Sequence, residues 1–397
     1  MTTDVMNRPD EKADSNQSPA EDDWSVDRCV LIPRDQLTDE QLATVEKMAF
    51  QYGEGPESYD IVVSESSILF TPCGQGVLSV LPDKHYWHVP GGILAPAELK
   101  PRIVRWLQAF SQASGNVVLL HAMNGTLIPS FEEGDWEINM LGIEPTIELG
   151  DVTWSGSKLS WVRRQTSFCE RNGLEVVEIV EEKERLELAD ELIEILMEDL
   201  SGRAFPKPLK VLEGEFDPHR AYRRRIFVAR NKESKTIEGF LACTPMRNGT
   251  EWAFETYRKR DSATRGTMAY LFRRVVDALQ EDGAAKVSLC LVPGKYVDHP
   301  DYSRGPAVVR RLMSIWYHHL AFLFNVKGQD HFKQRFRPQE ERRYSFISTK
   351  STPGSLFSFL KITGATTPNV WNVTKNIWHG TKLNCRKWSG KLLGKKK

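Results

Sequence analysis

The feature that most limits what this chain can fold into is a hydrophobic period that switches between helix and strand, then starts over. Residues 38–51 carry apolar side chains at helical spacing, with Leu42, Val45 and Met48 on one face and Asp39 and Glu40 near the start. Short apolar or alternating runs follow at 59–63, 68–71 and 76–81, separated by Gly and Pro, and predict a strand meander. A helix is expected over 96–113, striped by Ile103, Trp106, Leu107 and Phe110, then a buried strand over 116–121 and a strand pair over 137–149. From residue 158 the series begins again. Helices are expected over 158–171, 186–200, 266–281 and 306–324, and strands over 174–179, 225–229, 237–244, 251–257, 285–291 and 343–348. Two successive units of helix and antiparallel-rich sheet make this an α+β chain with domains at 28–175 and 176–350. Its 397 residues suffice for two hydrophobic cores.

The ends differ from this body. Residues 1–27 are rich in Asp, Glu, Ser, Asn and Pro, with almost nothing apolar before Trp24. Such a segment buries too little surface to offset its ordering entropy and is expected to be a disordered acidic tail. Residues 351–397 hold no Asp or Glu. Lys361, Lys375, Lys382, Arg386, Lys387, Lys391 and the final three lysines are interleaved there with Phe357, Phe359, Trp371, Trp378 and Trp388. That mixture suits an anionic membrane surface, with a solvated or tRNA-touching basic tail as the other readings. No run approaches the roughly 18–20 apolar residues of a membrane span, and the first residues show no basic-then-apolar signal-peptide pattern. The six cysteines are scattered without CxxC spacing, as in a reducing compartment with neither a disulfide framework nor a zinc site. A cytoplasmic protein is expected, peripheral where it meets the inner face of the cell membrane.

Several chemistries are missing from the sequence. There is no GxxxxGK[ST], no HExxH and no GxSxG. Gly74-Gln75-Gly76 reads as a hairpin turn, and His318 and His319 point about 100° apart on a helix, a poor metal pair. The informative stretch is Glu255-Thr-Tyr-Arg258, a loop, then Gly266-Thr267-Met268, which joins a strand end to a helix start. A helix N-terminus there offers backbone N–H groups to a carbonyl oxygen or a phosphate.

This stretch resembles the catalytic region of phosphatidylglycerol lysyltransferases, with its Asp-Leu-Met-Arg, short loop and Gly-Thr-Met. Glu255 stands where that family has Asp, which bears on the substrate amino acid more than on the reaction. The segment from Asn325 through Lys327-Gly328, Phe332-Lys333, Phe336 and Pro338 to Glu341 and Arg343-Tyr344 resembles a second signature of the same family. Leu141-Gly142-Ile-Glu144, Gly156-Ser-Lys158 and Pro293-Gly294 match it more loosely. The likeness spans about 59–347, and a freestanding chain without the family's membrane-spanning flippase part is expected.

The resemblance implies a tandem of acetyltransferase-type, GNAT-like domains with a channel through which tRNA and lipid reach one site from opposite sides. It implies aminoacyl-tRNA as co-substrate, an anionic membrane lipid as acceptor, and neither cofactor nor metal. The ester donor is already activated, so positioning and charge stabilisation suffice. Glu255 would take an amine of the aminoacyl group. Arg258 and Lys333 would bind the lipid phosphate or the tRNA terminus and steady the oxyanion. Glu341 and Arg343 would support them, and Glu144, Gly266 and Thr267 would contact substrate. Taken singly, Glu255 and Arg258 fit a strand-end ion pair and Lys333 a solvated basic edge; two motifs in order favour function. The clusters Arg223–Arg225, Arg258–Arg260, Arg273-Arg274 and Arg310-Arg311 would suit a tRNA backbone. An acyl-coenzyme A-dependent GNAT enzyme, a transferase acting on a peptide or cell-wall precursor, and a non-catalytic tRNA- or membrane-binding module remain the alternatives.

Overall fold

The computed structural model describes residues 24–150, 152–320, 323–376 and 378. The expectation of a disordered acidic tail therefore lies almost wholly outside the described residues, as does the part of the basic segment that holds Lys382 to Lys397 and Trp388.

The first half holds β1 (Leu31–Ile32), α1 (Asp39–Tyr52), a 3-10 segment (Pro56–Val62), β2 (Ser67–Phe70), β3 (Val77–Asp83), β4 (Tyr86–Val89), α2 (Lys100–Ser114), β5 (Val117–Met123), α3 (Ile128–Glu133) and the long β6 (Glu137–Glu148). The second holds α4 (Ser160–Arg171), β7 (Leu174–Ile179), α5 (Glu182–Glu187), α6 (Ala189–Ser201), β8 (Arg225–Asn231), β9 (Ile237–Met246), β10 (Glu251–Lys259), α7 (Thr267–Glu281) and β11 (Lys286–Ser288). β12 (Val292–Pro293), α8 (Ala307–His319), α9 (Val326–Gln334), β13 (Gln339–Ile347) and α10 (Pro353–Thr363) complete it. Local chemistry sets many of these ends. Thr38 and Gln41 exchange side-chain and backbone hydrogen bonds in a capping box at the start of α1. Asn325 accepts from the Gly328 N–H to open α9.

Both halves close in the same way. β2, β3 and β4 form an antiparallel meander, and α2 then crosses over so that β5 pairs parallel to β4. β7 to β10 form a second meander, and α7 crosses over so that β11 pairs parallel to β10. This repeated meander, helix and parallel strand is the acetyltransferase-type unit, so the chain is a tandem GNAT-like α+β fold. One sheet runs through both units in the order β1-β2-β3-β4-β5-β13-β6-β11-β10-β9-β8-β7, with β12 on β6. The last strand, β13, is inserted at the seam, antiparallel to β5 and β6.

The differences from the sequence reading have simple causes. The apolar run at 59–63 is a 3-10 segment opened by Pro56, and Tyr59, Ile61 and Val62 are apolar because they pack under α1, not because they pair. The expected pair over 137–149 is one strand, buried along nearly its whole length by neighbours on both edges. Gly142 sits where β12 crosses β6; a Cβ there would lie 2.3 Å from the Val292 carbonyl oxygen. The strand over 285–291 stops at Ser288, before Cys290 takes a positive φ of 65°. The helix over 306–324 ends at His319. β4, α3, α9 and α10 escape the sequence reading; α9 reads VKGQDHFKQ, too polar for an apolar stripe to show.

α10 docks through a buried chain of hydrogen bonds. Ser358 Oγ donates to Asp83 at 2.8 Å, His88 Nε2 lies 2.9 Å from Ser358 Oγ, His88 Nδ1 lies 3.0 Å from His121 Nε2, and Ser345 Oγ lies 3.3 Å from His121 Nδ1. With the Ser358 proton given to Asp83, the bonds are all filled when both rings are neutral and each donates from Nε2. Burial lowers the His88 pKa from 6.5 to about 4 and that of His121 well below 6.5. In the unfolded chain these rings charge first as pH falls. The stability that the two rings contribute is therefore full above pH 6.5 and lost progressively towards about pH 4. For His88 alone the loss is on the order of 3 kcal/mol. The urea midpoint of the wild type, measured against that of His88→Gln from neutral to acid pH, should fall over that window.

Candidate active site

A bulge in β10 decides where Glu255 and Arg258 point. Phe254 pairs with Cys243 and Thr256 with Ala242, leaving Glu255 as the extra residue. Residues three apart on a regular strand face opposite ways. Here Phe254 and Tyr257 both join the core beneath α7, while Glu255 and Arg258 both turn to the other face. They enter separate clusters.

Glu255 is buried. Its Oε2 accepts from the Thr244 hydroxyl and, at 3.2 Å, from Arg224 Nε. Arg224 also reaches Asp60 Oδ1 through Nη2 at 2.9 Å. One guanidinium from the second half therefore holds an acid of the second half and an acid of the first. Glu255 Oε1 and Arg224 Nη1 are buried and have no hydrogen-bond partner among the described residues. The backbone at Gly214 lies against Glu255, for a Cβ there would meet its Cγ at 2.0 Å. Burial and the adjacent Glu255 raise the Asp60 carboxyl well above its ordinary range. Arg258 instead contacts Asp199 at 3.2 Å and Glu213 at 3.4 Å, acids that it shares with Arg203.

Across the seam, β6 and β13 bring Glu144 and Arg343 into a buried pair at 2.6 Å. Arg343 also reaches Glu341 at 3.4 Å, and Glu341 continues to Lys286 at 2.9 Å. Glu57, from the 3-10 segment, is buried nearby. Burial first, and then repulsion from Glu144, push its carboxyl up to about 8. Lys333 projects inward from α9 and donates to the carbonyl oxygens of Cys290 and Leu291 at 2.9 and 3.3 Å. Burial lowers its pKa, while Glu144, Asp330 and Glu57 pull the other way. Lys333, Glu57, Glu144 and Glu255 all act electrostatically on Cys290, so the turn after β11 is the point about which the cluster gathers.

Of the residues singled out in the sequence, Glu255, Glu144, Arg343 and Lys333 come together, with Glu341 at the edge. Arg258 belongs to the adjoining cluster. Gly266 and Thr267 lie elsewhere, at the start of α7. Gly266 has φ +95° and packs on Gln165. The Thr267 hydroxyl donates to the Thr264 carbonyl at 2.7 Å and to Glu238 at 3.3 Å, and Thr264 donates to the same carboxylate through N–H and hydroxyl. A carboxylate of the chain itself thus takes donors of the loop just before α7, on the approach where a coenzyme A pyrophosphate would need them free. Sequence reasoning missed Glu57, Asp60 and Arg224. The available signal was two acids inside an otherwise apolar run, Glu57-Ser-Tyr-Asp60-Ile-Val-Val, which requires buried partners from far away in sequence.

Fold and site thus define a tandem GNAT-like protein with a buried, acid-rich cluster at the seam of its two units. The pattern of the family "Phosphatidylglycerol lysyltransferase, C-terminal" matches residues 48–347, and the chain belongs to that family, one of transferases. Among solved structures it is similar to the C-terminal domain assigned to a lysylphosphatidylglycerol synthetase from Agrobacterium fabrum, with 20% identity, TM-score 0.66, and 82% of this chain and 96% of that one covered. It is equally similar to L-PGS from Bacillus licheniformis, with 18% identity, TM-score 0.66, and 81% and 95% covered. A conserved protein of unknown function from Bacteroides thetaiotaomicron shares 11% identity at TM-score 0.51, with 78% and 98% covered. A search of curated proteins finds no match. No helix among the described residues is long and apolar enough to cross a membrane.

Removing Arg224 strands the buried Glu255 and the partly buried Asp60. Arg224→Leu should cost about 3–5 kcal/mol by chemical denaturation, as expected when one member of a buried ionic group is deleted. Gly214→Ala, which forces Glu255 aside, should cost about 1–3 kcal/mol. Wild-type stability in both variants would show that the clamp is not structural.

Proposed function

We propose that the chain transfers an amino acid, lysine or another, from aminoacyl-tRNA to a hydroxyl of a membrane lipid such as phosphatidylglycerol. The observation that carries this reading is the pair of buried, unpartnered atoms Glu255 Oε1 and Arg224 Nη1. An aminoacyl ester offers an ammonium for the one and a carbonyl oxygen for the other, and a buried unmade bond is costly enough that a ligand completing both is favoured. Glu255, with its second carboxylate oxygen open, offers a buried negative charge to a cationic substrate group. Family membership supports the reaction class.

In this reading the lipid hydroxyl oxygen attacks the aminoacyl carbonyl carbon. The new carbon–oxygen bond forms as the bond to the tRNA ribose breaks, and the hydroxyl proton passes to the ribose oxygen. Glu57, held near 8, is the carboxyl best matched to accept and return that proton at neutral pH. Lys333 and Arg224 supply positive charge for the oxyanion, and Glu144 and Arg343 hold the opposite wall. Arg258 ties β10 to α6 and to the loop after it through Asp199 and Glu213, adjoining the substrate site. Contact with the inner face of the cell membrane is supported by Val370, Trp371 and Trp378, exposed at 75, 77 and 61%.

The direct test incubates the protein with radiolabelled aminoacyl-tRNAs and vesicles of total bacterial lipid, then counts the organic phase. Label in a lipid spot supports the reading; intact aminoacyl-tRNA with unlabelled lipid overturns it. Lys333→Ala should abolish lipid label while tRNA binding persists. Glu57→Gln should lower the rate roughly 10²–10⁴-fold and remove the rise in rate with pH that the wild type shows up to about pH 8.

A further inference from the structure

Most of the arginine clusters that look suited to RNA in the sequence are used inside the fold. Arg223 pairs with Glu46, Arg225 with Glu178 and Asp282, and Arg260 with Glu191, Glu194 and Glu198. Arg274 pairs with Glu170 and Asp277. Arg310 bonds Ser303 and the Gly305 carbonyl. A different set carries free charge. Arg164 and Arg171 lie seven residues apart on α4, hence on one face and about 10 Å apart along the axis. Both are exposed. Arg265, in the loop before α7, is exposed as well, and its backbone carbonyl is tied to α4 through the Cys169 thiol at 3.6 Å.

These side chains line a groove of about 440 Å³ between α4 and that loop. Arg163 lines it too, with its guanidinium turned back to the carbonyls of Trp154 and Gly156. No Asp or Glu is among the described residues of the lining, and the nearest acid on the helix, Glu170, is held by Arg274 at 3.6 Å. Phe168 sits between Arg164 and Arg171 and is itself 39% exposed.

We infer that this groove binds the RNA backbone of the donor, with phosphates at Arg164, Arg171 and Arg265 and an unstacked base on Phe168. The inference rests on the aminoacyl-tRNA reading and gives its donor a docking surface. Charge complementarity selects a polyanion. A single exposed ring among guanidinium groups is the arrangement that stacks a base while the cations follow the strand. A bilayer is planar and rewards exposed aliphatic side chains, and the exposed aliphatics Val308, Leu312 and Ile315 lie on α8 instead.

The test is filter binding of deacylated tRNA to the full chain from about 50 to 200 mM salt. The triple variant Arg164→Gln/Arg171→Gln/Arg265→Gln should raise Kd at least tenfold. It should also lower the slope of log Kd against log salt by about two to three, since each lost phosphate contact contributes roughly 0.7–0.9. Phe168→Ala should weaken binding with the slope unchanged. Arg230→Gln, which removes a guanidinium paired with Glu175 at 2.9 Å, serves as the charge control and should bind as wild type does. Equal Kd and slope in wild type and triple variant overturn the inference even where lipid transfer proceeds. So does a wild type that binds no tRNA, and so does arginine dependence seen with anionic vesicles alone. Arginine-dependent tRNA binding in a protein that labels no lipid upholds the surface and removes the transfer reading.

Discussion

The insertion of β13 between β5 and β6 is the constraint on which the rest depends. The strand arrives from the end of the second unit and pairs with both neighbours, so the two meanders become one sheet. It also delivers Arg343 opposite Gly142, beside Glu144, with Glu341 two residues away. Without that insertion the buried Glu144–Arg343 pair has no cation and the two units have no common wall. Arg224 does the matching work from the other side of the seam, by gripping Asp60 and Glu255 together. The second half supplies the cations that balance Asp60 and Glu144 of the first.

That division explains why the interior tolerates so many ionisable groups. Buried carboxylates are costly unless paired, and here each of the two guanidinium groups is bound to acids on more than one element. The remaining excess of acid is accommodated by protonation, as the raised Glu57 and Asp60 carboxyls show. An interior of this kind is set to exchange a proton for a cationic group.

The element types were legible because burial patterns follow period. The helix under Leu42, Val45 and Met48, the stripe of α2 and the β8–β10 meander all follow directly from spacing. What escaped had polar or short sequences: α9, which carries Lys333, and the 3-10 segment that holds Glu57 and Asp60. The site was half legible for the same reason. Glu255, Glu144, Lys333 and Arg343 lie in recognisable motifs, but a partner such as Arg224 is identified only by which carboxylate it reaches. Arg258 and Arg223 to Arg225 show the converse, since charge runs that look available in sequence prove to be consumed by Glu46, Glu178, Asp199 and Glu213. Nor could spacing reveal that the bulge at Glu255 turns it to the same face as Arg258.

Placing β13 at the seam has a consequence for synthesis on the ribosome. The chain emerges from its first residue onward, so β5 and β6 are made long before the strand that separates them. Until residues 339–347 leave the exit tunnel, two strands that end up buried carry unpaired backbone groups at the middle of the sheet. Such edges are prone to pair with each other or with another chain. The nascent protein must hold them apart until almost the whole described sequence has been translated.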